Sequence, residues 1–466
     1  MKIGLVFPNK DRRYKTIHMG LAYLASYARK QHIDLEITVL DTRVATKKET
    51  KAFFGTSFDL VGITVFFSVY DEVKDIFQKV RKNFPNTPIC LGGPYVTTLM
   101  DEIFLETPAD FAVYGEGEVT FAELIDHLKG KCSKESIHGL MYSRNNGQYA
   151  VNQAREQIQD LDELPQPAYD LFKMKRYPLH RLVTSRGCPY ACSWCNSTSI
   201  WGSRWRSRSA EEVVREIEMV IEKYGKKTFA FNDNSFNIDS KYVEEFCDLL
   251  ISKNLKILWS TPVRIEKITP KIAMKMKTAG CYNISVGIES ASNSILNKMN
   301  KQTSIEELQQ GIKVCKEAGI DVLGQFVIGS PGETLEDVHK SVSFAKTSGL
   351  DYVNFYTVLP FKGTPQWEYV KEHGTLFSEK IHDYPSEKPR IVFDTPEFPY
   401  HDRLKAIRMA KKAGYYSNKD KKNWMFDLAK HLSQKSQEIL PESLYVRIYM
   451  LLKGIYKLNF VRKNNI

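Results

Sequence analysis

Short apolar runs alternate with amphipathic segments through most of this chain, and that alternation restricts its fold more than any other feature. Over the first 130 or so residues, KIGLVFP, LEITVLD, DLVGITVF, PICLGGP and DFAVYGEG read as strands, while His18–Gln31, Asp71–Asn83 and VTFAELIDHL have helical periodicity. Near-continuous apolar strands separated by helices make a parallel sheet covered on both faces, so a doubly wound, Rossmann-like α/β domain is expected here. Such sheets bind ligands beyond the carboxyl ends of their strands. Gly92-Gly93 and Gly115-Glu116-Gly117-Glu118 fall at those ends, where glycine either admits a ligand closely or turns the chain.

The alternation resumes at Leu182 with RLVTSRG and continues through TFAFND, KILWSTP, NISVGIES, VLGQFVIG and YVNFYTVLP, each followed or preceded by a helical stretch. These make about six strand–helix units, whereas a full eight-unit barrel takes ~250 residues, so a partial (β/α)6 barrel is expected. Its active site belongs at the carboxyl ends of the strands, where Cys188, Asp233, Arg264, Glu289 and Gly329 all fall. The expected division is a front domain over 1–131, a connector over 132–174, a barrel over 175–375 and a helical tail over 376–466. Within the connector a short hairpin is expected around Gly139–Val151, turning at Asn145-Asn146-Gly147.

The net charge of +11 suggests nucleic acid until it is located. From His401 onward there are fifteen Lys and Arg against five Asp and Glu, so nearly all the excess lies in the tail. The body is close to neutral, and a nucleic-acid surface is not expected there. The tail mixes Lys453, Lys457, Arg462 and Lys463 with Leu, Ile, Tyr and Phe. It reads either as a helix packed on the barrel with a solvated face, or as a peripheral contact with an anionic membrane that brings in a lipid-like substrate. The start of the chain lacks a signal-peptide pattern and no run of about twenty apolar residues occurs, so the expected location is the cytoplasm.

Eight cysteines in so long a chain do not form a disulfide framework. Cys90, Cys132, Cys247, Cys281 and Cys315 are scattered and read as small buried hydrophobes. Cys188, Cys192 and Cys195 are different: RGCPYACSWCN sets three thiols in a C-x3-C-x2-C spacing on the loop after a strand. A structural zinc site wants a fourth ligand, and His180 lies at the far side of the strand. A disulfide would leave an odd thiol. A cubane held by three thiolates leaves one iron open to chelate a small molecule, and one short loop reaches three corners of a compact cube together.

With aromatic Trp194 before its last cysteine, this motif resembles the hallmark of the radical S-adenosylmethionine (SAM) superfamily. The resemblance implies a [4Fe-4S] cluster whose open iron holds the amino and carboxylate groups of SAM. Reductive cleavage then yields a 5′-deoxyadenosyl radical, with electrons from an external donor such as flavodoxin or ferredoxin. The rest of the barrel matches in order. FNDNSF resembles the family's second-strand segment, with Asp233 as the candidate acid because Asn234 replaces its usual partner. SVGIESAS resembles the ribose-facing strand, with Ser285 and Glu289 as candidate contacts. VIGSPGET resembles the adenine-side segment, with Val327, Ile328 and Gly329. Arg264 is a candidate for the cofactor carboxylate or for a neighbouring acid.

Over about residues 1–127 the front half resembles the cobalamin-binding domain that precedes one branch of this superfamily, through HMGLAYLASYAR, DLVGITV, LGGPY and YGEGEVTFAELI. The resemblance places Thr64, Gly92 and Gly93 beside the nucleotide tail of cobalamin, and Gly115 and Glu116 near its corrin face. The D-x-H-x-x-G motif whose histidine ligates cobalt is absent, and His18 in TIHMG does not match it. A methylthiolating enzyme would need a second cysteine-bound cluster that Cys90 and Cys132 cannot supply. The function implied is cobalamin-dependent C-methylation of a small molecule. A radical cyclase or oxidative rearrangement without methyl transfer is the alternative, and a cluster-bearing sensor without turnover is the reading from another class.

Overall fold

In the first strand, β1 (Lys2–Phe7), every residue after Lys2 is buried, as a strand covered by helices on both faces requires. The structure is a computed structural model that describes residues 1–9, 15–144, 148–379 and 391–414. Parallel to β1 run β2 (Glu36–Asp41), β3 (Leu60–Thr64), β4 (Ile89–Gly92) and β5 (Phe111–Val113), in the order β2-β1-β3-β4-β5. The order reverses between β1 and β3, so the crevice of this doubly wound sheet opens over the ends of those two strands. The hairpin expected in the connector, β6 (Leu140–Ser143) and β7 (Tyr149–Val151), adds two antiparallel strands to the same sheet. Its expected turn at 145–147 lies outside the described residues.

The second sheet holds six parallel strands: β8 (His180–Leu182), β9 (Thr228–Phe231), β10 (Leu258–Val263), β11 (Cys281–Glu289), β12 (Asp321–Ile328) and β13 (Tyr352–Thr357). They pair in sequence order, which is the open barrel wall the alternation predicts. Helices return outside it, and their starts are written in the chain. Ser304 and Thr334 each accept from the amide three residues on, and their own amides donate back to the carboxylates of Glu307 and Asp337. Within the wall Phe231 stacks on Trp259 at 5.2 Å, and the Trp259 indole N–H donates to the Ala279 carbonyl at 2.8 Å.

Buried polar side chains join the two sheets. The connector buries Tyr169 and Tyr177 almost completely. The Tyr177 hydroxyl donates to Asp41 at the end of β2, at 3.0 Å. Tyr169 donates to Glu216, which is also paired with Arg208, and Arg208 donates to the Tyr23 hydroxyl at 3.1 Å. Glu216 therefore joins the connector, the front domain and the helix Ala210–Tyr224 at one fully buried carboxylate.

The tail expected to be helical from 376 begins instead with a two-residue antiparallel ladder, Thr375–Leu376 with Phe393–Asp394, before the helix Tyr400–Lys412, which buries Arg403, Ala406, Ile407 and Ala410 against the barrel. The basic residues beyond 414, on which the membrane-surface expectation rests, lie outside the described residues. No helix among those described is long and apolar enough to cross a membrane. Removing the shared carboxylate would strand a buried guanidinium. Glu216→Ala is therefore expected to cost about 3–5 kcal/mol, read as a lowered urea midpoint.

Candidate functional site

The loop carrying the three cysteines leaves the barrel at Gly187, whose φ of +83° lets the chain turn sharply out of the preceding Ser185–Arg186. It is pinned along its length. The Cys188 amide donates to the Gly202 carbonyl at 3.3 Å, and the Ser193 amide donates to Met299 at 2.9 Å. The Ser193 carbonyl accepts from Gln366 at 2.9 Å, and the Asn300 side chain donates to Ala191 at 3.1 Å. The Ser197 amide points at the Cys195 sulfur at 3.4 Å. All three thiols are free and partly buried. Burial raises the Cys192 pKa against the nearby charges of Lys301 and Arg264, and pushes Cys195 up to about 11 despite the Ser197 amide. These are thiols that need a metal to draw off their protons.

Among the described residues, no three His, Cys, Asp or Glu side chains close on a point that one ion could occupy. The donor set, three thiols on one braced loop with no fourth ligand, fits a cubane with each thiolate on its own iron. Beside it the Trp194 indole N–H is buried without a partner among the described residues, which leaves a donor for a bound group.

Trp194 opens onto a cavity of about 400 Å³ whose other walls are Glu289, Gln325 and Val327 of the barrel and Phe66, Phe67 and Tyr95 of the front domain. Among the described residues no Lys, Arg or His lines it. Glu289 ends β11 at a register shift with φ +67°, a left-handed conformation that is strained for a non-glycine residue. Its carboxylate meets Lys301 Nζ at 2.8 Å, and both side chains are buried. Ser285, on the same strand, is half-buried and lines neither this cavity nor the second one described below. Arg264 is engaged within the protein: it donates to the carbonyls of Lys301 at 2.6 Å and Gln302 at 3.0 Å, pairs with Glu266, and stacks 4.0 Å over Tyr190 of the cysteine loop. It braces that loop from below.

Val327 and Ile328 separate by strand alternation, Val327 toward the cavity and Ile328 toward Phe393 and Arg403. Gly329 has φ +110°, and a side chain there would meet the Arg403 guanidinium. Its amide donates to Glu333 and its carbonyl accepts from Gln366 at 3.3 Å. The other Glu333 oxygen has no partner among the described residues. Burial pushes this carboxyl up to about 8, against the amides of Gly329 and Ser330 that favour its charged form.

The second cavity, about 540 Å³, lies over the crevice of the front sheet. Thr64, Gly92, Gly93, Gly115 and Glu116 all line it, as does Asp233 from the barrel. A Cβ at Gly93, where φ is +105°, would stand 2.9 Å from Thr64 Oγ1 and 3.0 Å from the Val65 carbonyl, so only glycine keeps this cradle open. His18 also lines the cavity. Its Nδ1 accepts from the Leu21 amide at 3.0 Å, which leaves the proton on Nε2, 3.4 Å from Thr64 Oγ1. The imidazole thus has no lone pair to offer a metal, and burial lowers its pKa to about 4. Asp233 accepts from the Thr184 amide at 2.9 Å and the Ser185 amide at 3.3 Å, and burial pushes it up to about 6. The large void and its glycine cradle fit a bulky cofactor. Phe66 and Pro94 line both cavities, which therefore share a wall.

Two arginines complete the arrangement, and sequence reading does not find them. Arg186 meets Glu118 at 2.6 Å and Glu116 at 3.2 Å; Arg206 meets Glu116 at 2.9 Å. All four are buried. Burial alone would raise the Glu116 pKa, but the Arg206 hydrogen bond and the two guanidinium charges hold it below its usual range. The sequence around them specifies no partner: Arg186 follows LVTS, and Arg206 lies between Arg204 and Arg208 in the polar stretch SRWRSRS. Lys301 gives no spacing signal at all.

Glu333 makes a pH test. Its neutral form stabilises the folded chain fully below the unfolded value of 4.5, and that contribution is lost as pH rises through about 8. The wild-type urea midpoint is expected to fall over this window, by up to about 1.4 kcal/mol per pH unit, and to fall less in Glu333→Gln.

The family model of the radical SAM superfamily matches residues 182–345 and that of the B12 binding domain matches residues 9–125. An uncharacterised methyltransferase of Pyrococcus horikoshii is 34% identical over 423 residues, 88% of this chain and 91% of that protein. The anaerobic magnesium-protoporphyrin IX monomethyl ester cyclase of Rubrivivax gelatinosus is 29% identical over 318 residues, 65% of this chain and 57% of that protein. The radical SAM methyltransferase TsrM of Kitasatospora setae, solved with cobalamin and a [4Fe-4S] cluster, shares the fold with a TM-score of 0.77 at 18% identity, covering 99% of this chain and 98% of that one. The chain belongs to the radical SAM superfamily, in the branch that carries a B12-binding domain ahead of the barrel.

Proposed function

We propose that this protein is a cobalamin-dependent radical methyltransferase acting on an unactivated carbon of a small, largely apolar molecule. The observation that carries this reading is the wall shared at Phe66 and Pro94 by the cavity beside the cysteine loop and the cavity over the front sheet. When bound, the cluster with SAM supplies a carbon-centred radical and cobalamin supplies a transferable methyl group. The chain's part is to place the two side by side and keep water out.

Cys188, Cys192 and Cys195 hold the cluster in this reading, with Trp194, Glu289 and Val327 around the SAM beside it. Thr64, Gly92 and Gly93 border the cobalamin tail. Asp233 faces the cavity over the front sheet from the barrel side, and Arg264 braces the cysteine loop through Tyr190. Electrons come from an external carrier of the flavodoxin or ferredoxin kind.

The walls supplied by the front domain and by the segment after β13 support an apolar substrate: Phe66, Phe67, Tyr95, Leu359 and Phe361 face the cavity, with Thr98 as a lone polar group among them. Across this region Phe67 packs edge-on against Phe361 at 5.4 Å. Beside it Lys362 pairs with Glu102 of the front domain at 2.8 Å. These contacts between the domains help exclude water from a reactive intermediate.

Anaerobically reconstituted protein given reductant and SAM is expected to release 5′-deoxyadenosine, and Cys192→Ala to reduce that release to background. With substrate present, a methyltransferase forms S-adenosylhomocysteine together with deoxyadenosine, both measured by mass spectrometry. Deoxyadenosine alone under those conditions would replace this reading with the cyclase one.

A further inference from the structure

We infer that Arg186 is a positioning residue that couples the filling of the front-domain cavity to the geometry of the cysteine loop. The inference rests on the two-cofactor reading above and assigns a role to a side chain that is not itself a candidate ligand of either cofactor.

Arg186 stands two residues before Cys188, separated from it only by Gly187. It lines the cavity over the front sheet, and so do both of its carboxylate partners, Glu116 and Glu118, and the ring of Trp201. Its guanidinium is held 2.6 Å from Glu118 and 3.2 Å from Glu116, and lies 5.4 Å from the Trp201 ring and 5.7 Å from that of Tyr23. The far end of the cysteine loop is held by the same group. Arg206, paired with Arg186 across a two-residue antiparallel ladder, reaches Glu116 at 2.9 Å and donates to the Trp201 carbonyl at 3.1 Å. Trp201 ends the short helix Ser197–Trp201 that follows Cys195, and its neighbour Gly202 accepts the Cys188 amide.

Both ends of the loop are thus clamped by four buried charges, of which Arg186, Glu116 and Glu118 face the cavity. A group seated in the cavity changes the contacts and the solvation of these charges, and the loop follows because Arg186 leads directly into it and Arg206 holds the Trp201 carbonyl at its far end. Binding at one site must then alter affinity at the other, and by the same factor in both directions.

The test uses the full chain with hydroxocobalamin as the probe. Its dissociation constant is measured by absorbance titration on protein without and with the reconstituted cluster, and iron release to a chelator is followed with and without cobalamin. In the wild type the cluster is expected to tighten hydroxocobalamin by about fivefold or more, and bound hydroxocobalamin to slow iron release. Arg186→Gln is expected to bring both ratios toward one, and Glu118→Gln, which keeps the shape and most hydrogen bonds, to lower them in part. Arg208→Gln breaks a buried pair that does not line the cavity, and is expected to lower stability while keeping the wild-type ratios. Ratios of one in the wild type, or loss of the ratios in Arg208→Gln as much as in Arg186→Gln, would overturn the inference while leaving the two-cofactor reading intact. A wild-type protein that holds iron but never binds hydroxocobalamin would remove both.

Discussion

The placing of every reactive group depends on the burial of four charges, Arg186, Arg206, Glu116 and Glu118, between the front domain and the start of the cysteine loop. Taking ions out of water costs several kcal/mol each, and their mutual attraction offsets this only when the geometry is tight and the remaining hydrogen bonds are made. Here Glu116 also accepts from the Ile158 amide at 2.8 Å, so its lone pairs are largely used. An apolar contact of the same size would hold the domains together as firmly but would slide. The charge cluster fixes one register, and with it the distance between the two cavities.

Around that constraint the two halves of the fold contribute different things. The doubly wound sheet provides an open crevice and the glycine cradle at Gly93, while the barrel wall provides the braced loop and the Glu289–Lys301 pair. Cys247, Cys281 and Cys315 take part in none of this and are buried among the barrel's hydrophobic side chains. Only the three clustered thiols have the short loop and the partial exposure that metal chemistry needs.

How far the sequence reveals this follows from range. Strands and helices were legible because burial on both faces imposes apolar runs that a local reading detects. The cysteines were legible because three ligands on one loop need no partner from elsewhere. Arg186 and Arg206 were not, since the carboxylates they meet lie 68 to 90 residues earlier in the chain. The same limit hid which cavity Asp233 faces, because its strand end was known but not what packs over it. The hairpin β6–β7 was visible as a hairpin, yet only the sheet edge at β5 decides which domain it extends.

The wall shared at Phe66 and Pro94 requires the cluster and cobalamin to lie next to one another. Power saturation of the cob(II)alamin electron paramagnetic resonance signal tests it directly, because a nearby paramagnetic reduced cluster speeds electron relaxation. Full-length protein loaded with both cofactors is expected to need markedly more microwave power to saturate that signal than the Cys192→Ala variant loaded with cobalamin alone. Identical saturation in the two proteins, with the reduced cluster verified by its own signal in the first, would contradict the account.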